Sequence, residues 1–107
     1  MAFLNYPDLA AISATGALST FQVKIAATNV AQQLPSAALV NGLILLAKST
    51  NSGKVFVGTS SSVNTTDDGT GSGYAIPPGD AMSFAINNCN VIWVAGTIND
   101  VLYGSAN

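Results

Sequence analysis

"VNGLILLAKSTNSGKVFVG", Val40 to Gly58, contains five consecutive apolar residues, Leu43-Ile44-Leu45-Leu46-Ala47, and its only charges are Lys48 and Lys54. Such a run has three readings: a membrane segment, a core helix, or a strand covered on both faces. A bilayer crossing needs roughly 20 apolar residues, so a membrane segment is excluded. A helix needs about ten or more, yet this run starts after the turn dipeptide Asn41-Gly42 and stops at Ser49-Thr50-Asn51-Ser52-Gly53. A strand remains. "KVFVG" follows at once, with Val55 and Val57 on one face and Phe56 on the other, so the two runs read as a β-hairpin with a glycine-containing loop. A strand that is apolar at every position is expected to be central, with a second sheet or a neighbouring subunit over its other face.

Period-two patterning extends in both directions. Phe21, Val23 and Ile25 alternate with Gln22, Lys24 and Ala26, the signature of a strand with one wet face. Val30, Gln32 and Leu34 suggest another strand, closed by Pro35. In "GYAIPPGDAMSFAI", Pro77-Pro78-Gly79-Asp80 forces a turn, because proline fixes its own φ and glycine accepts a positive one. Met82, Phe84 and Ile86 then face inward against Ala81, Ser83 and Ala85. "NNCN" turns the chain again, "VIWVAG" is a second strand apolar on both faces, and Asn99-Asp100 turns into "VLYGS". The tract Thr59–Gly73, "TSSSVNTTDDGTGSG", is small, polar and glycine-rich, and is expected to be an exposed loop.

These signals add up to about eight short strands and no amphipathic helix after residue 20. The expected fold is all-β: a single antiparallel β-sandwich, jelly-roll-like, over residues 21–107. Residues 1–20 differ. They are Ala-rich, with Phe3, Leu4, Tyr6 and Leu9 near the start, and read as an N-terminal arm that packs on something. A short helix around Asp8 to Ala14 is limited by Thr15 and Gly16.

Composition narrows the function. A chain of 107 residues suits one domain. Hydrophobic residues make up 49% and charged residues 7%, against about 25% charged in an ordinary soluble domain. Glu, Arg and His are absent, and Lys24, Lys48 and Lys54 stand against Asp8, Asp67, Asp68, Asp80 and Asp100. High hydrophobicity with little charge is the reverse of a disordered chain. Three scattered lysines cannot displace the counterions of a nucleic acid, so no nucleic-acid partner is expected. Thirty Ser, Thr and Asn residues keep the surface wet without making it self-repelling. A monomer ordinarily stays soluble through charge. This chain is therefore expected to have part of its surface occupied by copies of itself or by a partner.

"MAFLNYPDLAAISATGALS" lacks a basic n-region, and Pro7 and Asp8 break its apolar run, so no secretory signal is read and synthesis in the cytoplasm without a membrane anchor is expected. Cys89 is the only cysteine and leaves no intrachain disulfide.

Catalytic constellations fail in turn. Without His there is no Ser-His-Asp or Cys-His pair and no imidazole metal site. Asp67 and Asp68 are adjacent, and neighbouring side chains on extended backbone point apart. "DDGTGSG" lacks the alternating ligands and bidentate Glu of an EF-hand loop, and Gly69, Gly71 and Gly73 lack the Lys and the strand-to-helix setting of a phosphate loop. Cys89 has no visible base. No catalytic, cofactor or metal site is expected, and the chain is not read as an enzyme. Tyr74, Trp93 and Tyr103 are the candidates for stacking on a sugar, the requirement of a carbohydrate-binding attachment module. A core or interface position is the default for Trp93 inside "VIWVA".

The order "LVNGLILLAKSTNSGKVFVGTSSSV", a Gly-rich loop, "GYAIPPGDAMSFAI" and "NVIWVAGTINDVLYG" resembles small β-sandwich proteins of tailed-phage virions, the capsid decoration (cement), head-fibre and related minor structural proteins. The resemblance spans residues 38–104 and rests on turn and strand motifs, which specify fold more strongly than function. It implies a structural virion protein, assembled in the host cytoplasm, that binds the major capsid protein on the outer surface of the shell and stabilises it. It also implies a homo-oligomer, a trimer being favoured, with no catalytic residue and no membrane partner. A tail, connector or fibre-base position is the alternative within the same group. On this reading Phe3, Leu4, Tyr6 and Pro7 in the arm are expected to clamp the shell. Ile44, Leu46, Ile92 and Val94 are expected to contribute to subunit packing.

Overall fold

The computed structural model describes residues 17–107. Among them are eight strands: β1 (Ser19–Lys24), β2 (Gln32–Gln33), β3 (Leu43–Ala47), β4 (Val55–Gly58), β5 (Tyr74–Ile76), β6 (Ala81–Phe84), β7 (Trp93–Ala95) and β8 (Val101–Ala106). The one helical element among the described residues is a 3-10 turn at Cys89–Val91, capped by the Asn88 side chain. The strands form two antiparallel four-stranded sheets, β1-β8-β3-β6 and β2-β7-β4-β5, and the chain is the all-β sandwich its patterning predicts. Pairing is nested: β1 lies beside β8, β2 beside β7, β3 beside β6 and β4 beside β5. β1 begins two residues inside the segment read as the arm. Phe3, Leu4, Tyr6 and Pro7 lie outside the described residues.

Alternation sends one side chain in two into the space between the sheets. Leu43, Leu45 and Ala47 of β3 meet Leu102 and Ala106 of β8 and, from the opposite sheet, Val55 and Val57 of β4 and Val94 of β7. Phe21 and Val23 of β1 and Met82 and Phe84 of β6 close the sides. The ring of Phe21 lies over its register partner Gly104, and a Cβ added there would sit 2.5 and 2.6 Å from the ring's Cε1 and Cε2.

The turns are fastened by side chains. Asp100, 5% exposed, accepts hydrogen bonds at Oδ1 from the Ser52 amide (2.9 Å) and hydroxyl (3.1 Å), and at Oδ2 from the Gly53 amide (3.1 Å). Asn51 accepts from the Val101 amide and donates to the Val101 carbonyl. The β3–β4 and β7–β8 turns are thus held as one unit, which explains why a chain of so few charges buries a carboxylate: each oxygen has donors.

Two expectations need correction. β3 was expected to be covered on both faces, but Leu43, Leu45 and Ala47 are buried while Ile44 and Leu46 are 47% and 38% exposed. The second sheet lies on one side only, and no described segment crosses the other. The Thr59–Gly73 tract was expected to be a plain exposed loop, yet it folds over the second sheet. Val63, 3% exposed, packs on Phe56 and Ala95, so this tract gives β4 and β7 their outer cover. Gly73 permits the close approach: a Cβ there would lie 2.7 Å from Phe56 Cβ and 2.9 Å from Val63 Cγ2. Polar ties hold the flap. Lys54 Nζ meets Asp67 Oδ2 at 2.7 Å, and Asn29, held at φ 58°, accepts from the Thr65 amide (2.9 Å) and hydroxyl (3.1 Å).

Candidate functional site

The first sheet turns its other side outward, and the register fixes what it shows. One row across the strands reads Thr20, Ser105, Ile44, Ser83, and the next reads Gln22, Tyr103, Leu46, Ala81. Lys24 and Val101 follow on β1 and β8, and Lys48 continues the outward register of β3. Ile44 and Leu46 stand beside small neighbours, Ala81, Ser83 and Ser105, so the surface is concave rather than bulging. A shallow depression of about 500 Å³ is lined by Ile44, Leu46, Tyr103 and Ala81, among others. A second of about 360 Å³ shares Ile44 and Ser105 and extends to Leu18, which is 71% exposed.

Charge gathers at one end of the face. Lys24 and Lys48 border it there, and exposed Asp80, whose carbonyl accepts from the Ala47 amide, stands at the same end just before β6. Among the described residues the single ion pair is Lys54–Asp67, on the flap over the other sheet. Apolar residues in the middle, with hydroxyls and small side chains between them, suit a docked protein segment. They offer no convergent polar groups of the kind that hold a small polar molecule.

Of the residues expected to pack against a partner, Ile44 and Leu46 lie together on this face. Ile92 and Val94 do not. They are 3% and 0% exposed, on the inward side of the second sheet, and their work is done in the core. A run apolar at every position does not reveal which half of it faces out, and in "VIWVA" it is Trp93 and Ala95. Tyr103 belongs to the face although the sequence assigned no direction to β8. Its alternation, with Leu102, Gly104 and Ala106 buried, carried that information.

Tyr74, Trp93 and Tyr103 fall on three separate surfaces. Tyr74 is at the open edge between β5 and β6, Trp93 on the outside of the second sheet and Tyr103 on the outside of the first. They form no common stacking platform. Asp67 is engaged by Lys54, and Asp68 accepts from the Thr70 hydroxyl (2.6 Å) and amide (2.9 Å), which hold its carboxyl below the usual carboxylate range. Among the described residues no cluster of three or more His, Cys, Asp or Glu side chains is placed to hold a metal. Cys89 is buried beside a small apolar cavity of about 140 Å³ lined by Phe21, Pro35 and Ala37, and burial pushes its thiol up, the opposite of an activated nucleophile. No helix among the described residues is long and apolar enough to cross a membrane.

Comparison with protein-family models, with characterised proteins and with solved structures returns no match for this chain.

Proposed function

We propose that this chain is a structural protein of a tailed-phage virion, a capsid decoration (cement) protein that binds the outer surface of the major capsid shell as a homo-oligomer and stabilises it. It has no catalytic role, cofactor or metal on this reading, and its place is the capsid surface. The observation that carries the proposal is the bare face of the first sheet, with Ile44 and Leu46 in water. Among the described residues the sandwich covers one of its outer faces with its own flap, and none covers the other. The nested strand order supports a jelly roll, an antiparallel ribbon wound so that its first and last strands meet, and viral capsid domains use that fold. A fold alone does not fix a function, and the virion assignment rests on the resemblance of the turn and strand motifs.

A specific interface buries about 800 Å² per partner. Two half-exposed side chains supply a fraction of that, so the arm residues Phe3, Leu4, Tyr6 and Pro7 are assigned to the same interface. Several such contacts in one oligomer reinforce each other, because once one holds, the rest bind at high effective concentration. Burying the exposed parts of Ile44 and Leu46 is worth about 2 kcal/mol per subunit, or about 30-fold in affinity.

The test is binding to undecorated shells. Deleting residues 1–12, or making Ile44→Ser with Leu46→Ser, is expected to strip the protein from the shells while its far-ultraviolet spectrum stays that of a β domain. Full occupancy by both variants refutes the assignment. A copy number of six or twelve per particle, rather than hundreds, would move the chain to a connector or tail.

A further inference from the structure

We propose that two copies of this chain pair edge to edge through β6, antiparallel about a two-fold axis at Ser83, joining their first sheets into one sheet of eight strands. The inference goes beyond the proposed function: it rests on a strand edge rather than on the outer face, and it is tested in solution without shells.

A free strand edge offers unpaired amides and carbonyls, and proteins ordinarily blunt it with lysine, proline or shortness. Of the four strands that end the two sheets, three are blunted. β2 has two residues. β5 has three and runs into Pro77-Pro78. β1 carries Lys24, whose carbonyl accepts from Gln32 Nε2 at 3.2 Å. β6, Ala81-Met82-Ser83-Phe84, has no charge, proline or glycine. Its inner side is open as well. Half-buried Met82 and Phe84 line an apolar cleft of about 480 Å³ between β6 and β5, with Tyr74, 63% exposed, across from them and buried Val57 and Ile92 behind.

The register makes this edge complementary to itself. The Ala47 amide donates to the Asp80 carbonyl at 2.9 Å, and bonded pairs alternate with unbonded ones along an antiparallel ladder. The backbone groups of Met82 and Phe84 therefore go to Leu45 and Leu43 of β3, and those of Ala81 and Ser83 point to the free edge. Among the described residues nothing bonds to them. Ala85 continues the same parity just past the strand.

With Ser83, the middle of these three, on the axis, it exchanges two backbone hydrogen bonds with its own copy, and Ala81 faces the partner's Ala85. Small side chains thus meet on the outer side. On the inner side Met82 faces the partner's Phe84, a favourable sulfur–aromatic contact, and the two such pairs close over the clefts. Asp80, the charged residue next to the strand, lies six residues from its copy along the pair. That is about 20 Å, beyond the Debye length of about 8 Å, so these like charges do not oppose the dimer. The paired strip is about 17 Å long, small beside an interface of about 800 Å² per partner, so dissociation is expected at about 10–100 μM.

The experiment is sedimentation equilibrium of the full chain from about 5 to 500 μM, concentrations that bracket that range. The wild-type mass is expected to move from one chain toward two. Ser83→Pro removes an edge amide without touching the β3 ladder, a place where proline is tolerated, and should weaken pairing at least tenfold. Ser83→Lys and Ser83→Asp, both at an exposed position, should each stay at one-chain mass at low salt. Mixed in equal amounts they should return to two-chain mass, because residue 83 meets its own copy. Ile44→Ser with Leu46→Ser should keep the dimer. A wild-type chain of one-chain mass throughout overturns the proposal, and so does a Lys/Asp mixture that fails to pair. A dimer that survives Ser83→Pro but dissolves in the serine pair also overturns it and assigns self-association to the outer face. Shell binding by a chain that never dimerises would sink this inference alone, and a dimer that leaves shells bare would sink the virion reading alone.

Discussion

Replacing Gly104 by alanine puts a methyl group where the ring of Phe21 now lies. The added Cβ would meet Cε1 and Cε2 of that ring at 2.5 and 2.6 Å, well inside van der Waals contact, so the ring must leave its place across the β1–β8 pair. Inserting a methyl into a packed site costs about 1–3 kcal/mol, and a value near 2 kcal/mol is expected because the half-buried ring can swing toward the small cavity beside Cys89. Phe21→Ala alone also costs about 2 kcal/mol, roughly half the figure for a fully buried phenylalanine. The double variant is the decisive one. With the ring gone, the methyl added by Gly104→Ala has room, and alanine gains about 0.5–1 kcal/mol over glycine in a strand interior. The pair should therefore cost about 1.5 kcal/mol instead of the additive 4. Equilibrium unfolding in urea, read by the single tryptophan, Trp93, and by circular dichroism, measures all three variants. Additivity to within about 0.5 kcal/mol would mean that ring and glycine do not share one site, and the account of how β1 is held to β8 would fail.

The buried carboxylate of Asp100 organises two turns, and Asp100→Ala strands three donors on Ser52 and Gly53; a loss of about 3 kcal/mol is expected in the same unfolding assay, and a loss below about 0.5 kcal/mol would contradict the clamp. Gly73→Ala should lift the flap from the second sheet without unfolding the sandwich, giving faster proteolysis within residues 59–73 and a red shift of Trp93 emission, whereas unchanged cleavage would show that the flap is not seated on Phe56. Burial raises the thiol of Cys89. Folding therefore favours the neutral form, so this group's contribution to stability is intact below the ordinary thiol range and is lost as pH climbs through the raised value. Labelling of native Cys89 by a thiol reagent should be slow at mildly alkaline pH and become fast on unfolding, and immediate stoichiometric labelling of the folded chain would refute its burial.

Turn chemistry and strand alternation made most of the fold legible. Phe21, Val23 and Ile25 point inward as their spacing predicts, as do Met82, Phe84 and Ile86. The punctuation at Asn41-Gly42 and Pro77-Pro78-Gly79-Asp80 falls between strands, with Gly42 and Gly79 at φ 118° and 85°. Legibility ended where every position is apolar. In "LILLA" and "VIWVA" the sequence announces that both faces can be buried but not what buries them, because the cover comes from residues far along the chain or from outside it. For β7 the cover is a single valine in a run of serines, threonines and glycines, and one apolar residue in a low-complexity tract carries no periodicity. For the outer side of β3 no cover exists among the described residues. That is why Ile92 and Val94 turn into the core while Ile44 and Leu46 turn outward: identical chemistry, opposite parity.

The difference between the two sheets carries the functional argument. If an exposed sheet face were merely tolerated, positions 44 and 46 would be free to hold threonine or lysine. Both fit an outward strand position, and either would keep that face wet at no cost to the core. The chain instead keeps Ile44 and Leu46 beside Tyr103 and surrounds them with alanine and serine, so an apolar surface that no described segment seals is also left concave. On the opposite sheet it commits a fifteen-residue flap, an ion pair and the strained Asn29 to shielding a comparable patch. Among the described residues no such shield lies over Ile44 and Leu46, which stay largely open to water. Threonine at both positions is thus expected to leave the unfolding midpoint of a chain lacking residues 1–16 unchanged or slightly higher. A fall of more than about 1 kcal/mol would mean that Ile44 and Leu46 serve the fold itself, and the case for an interaction surface would go with it.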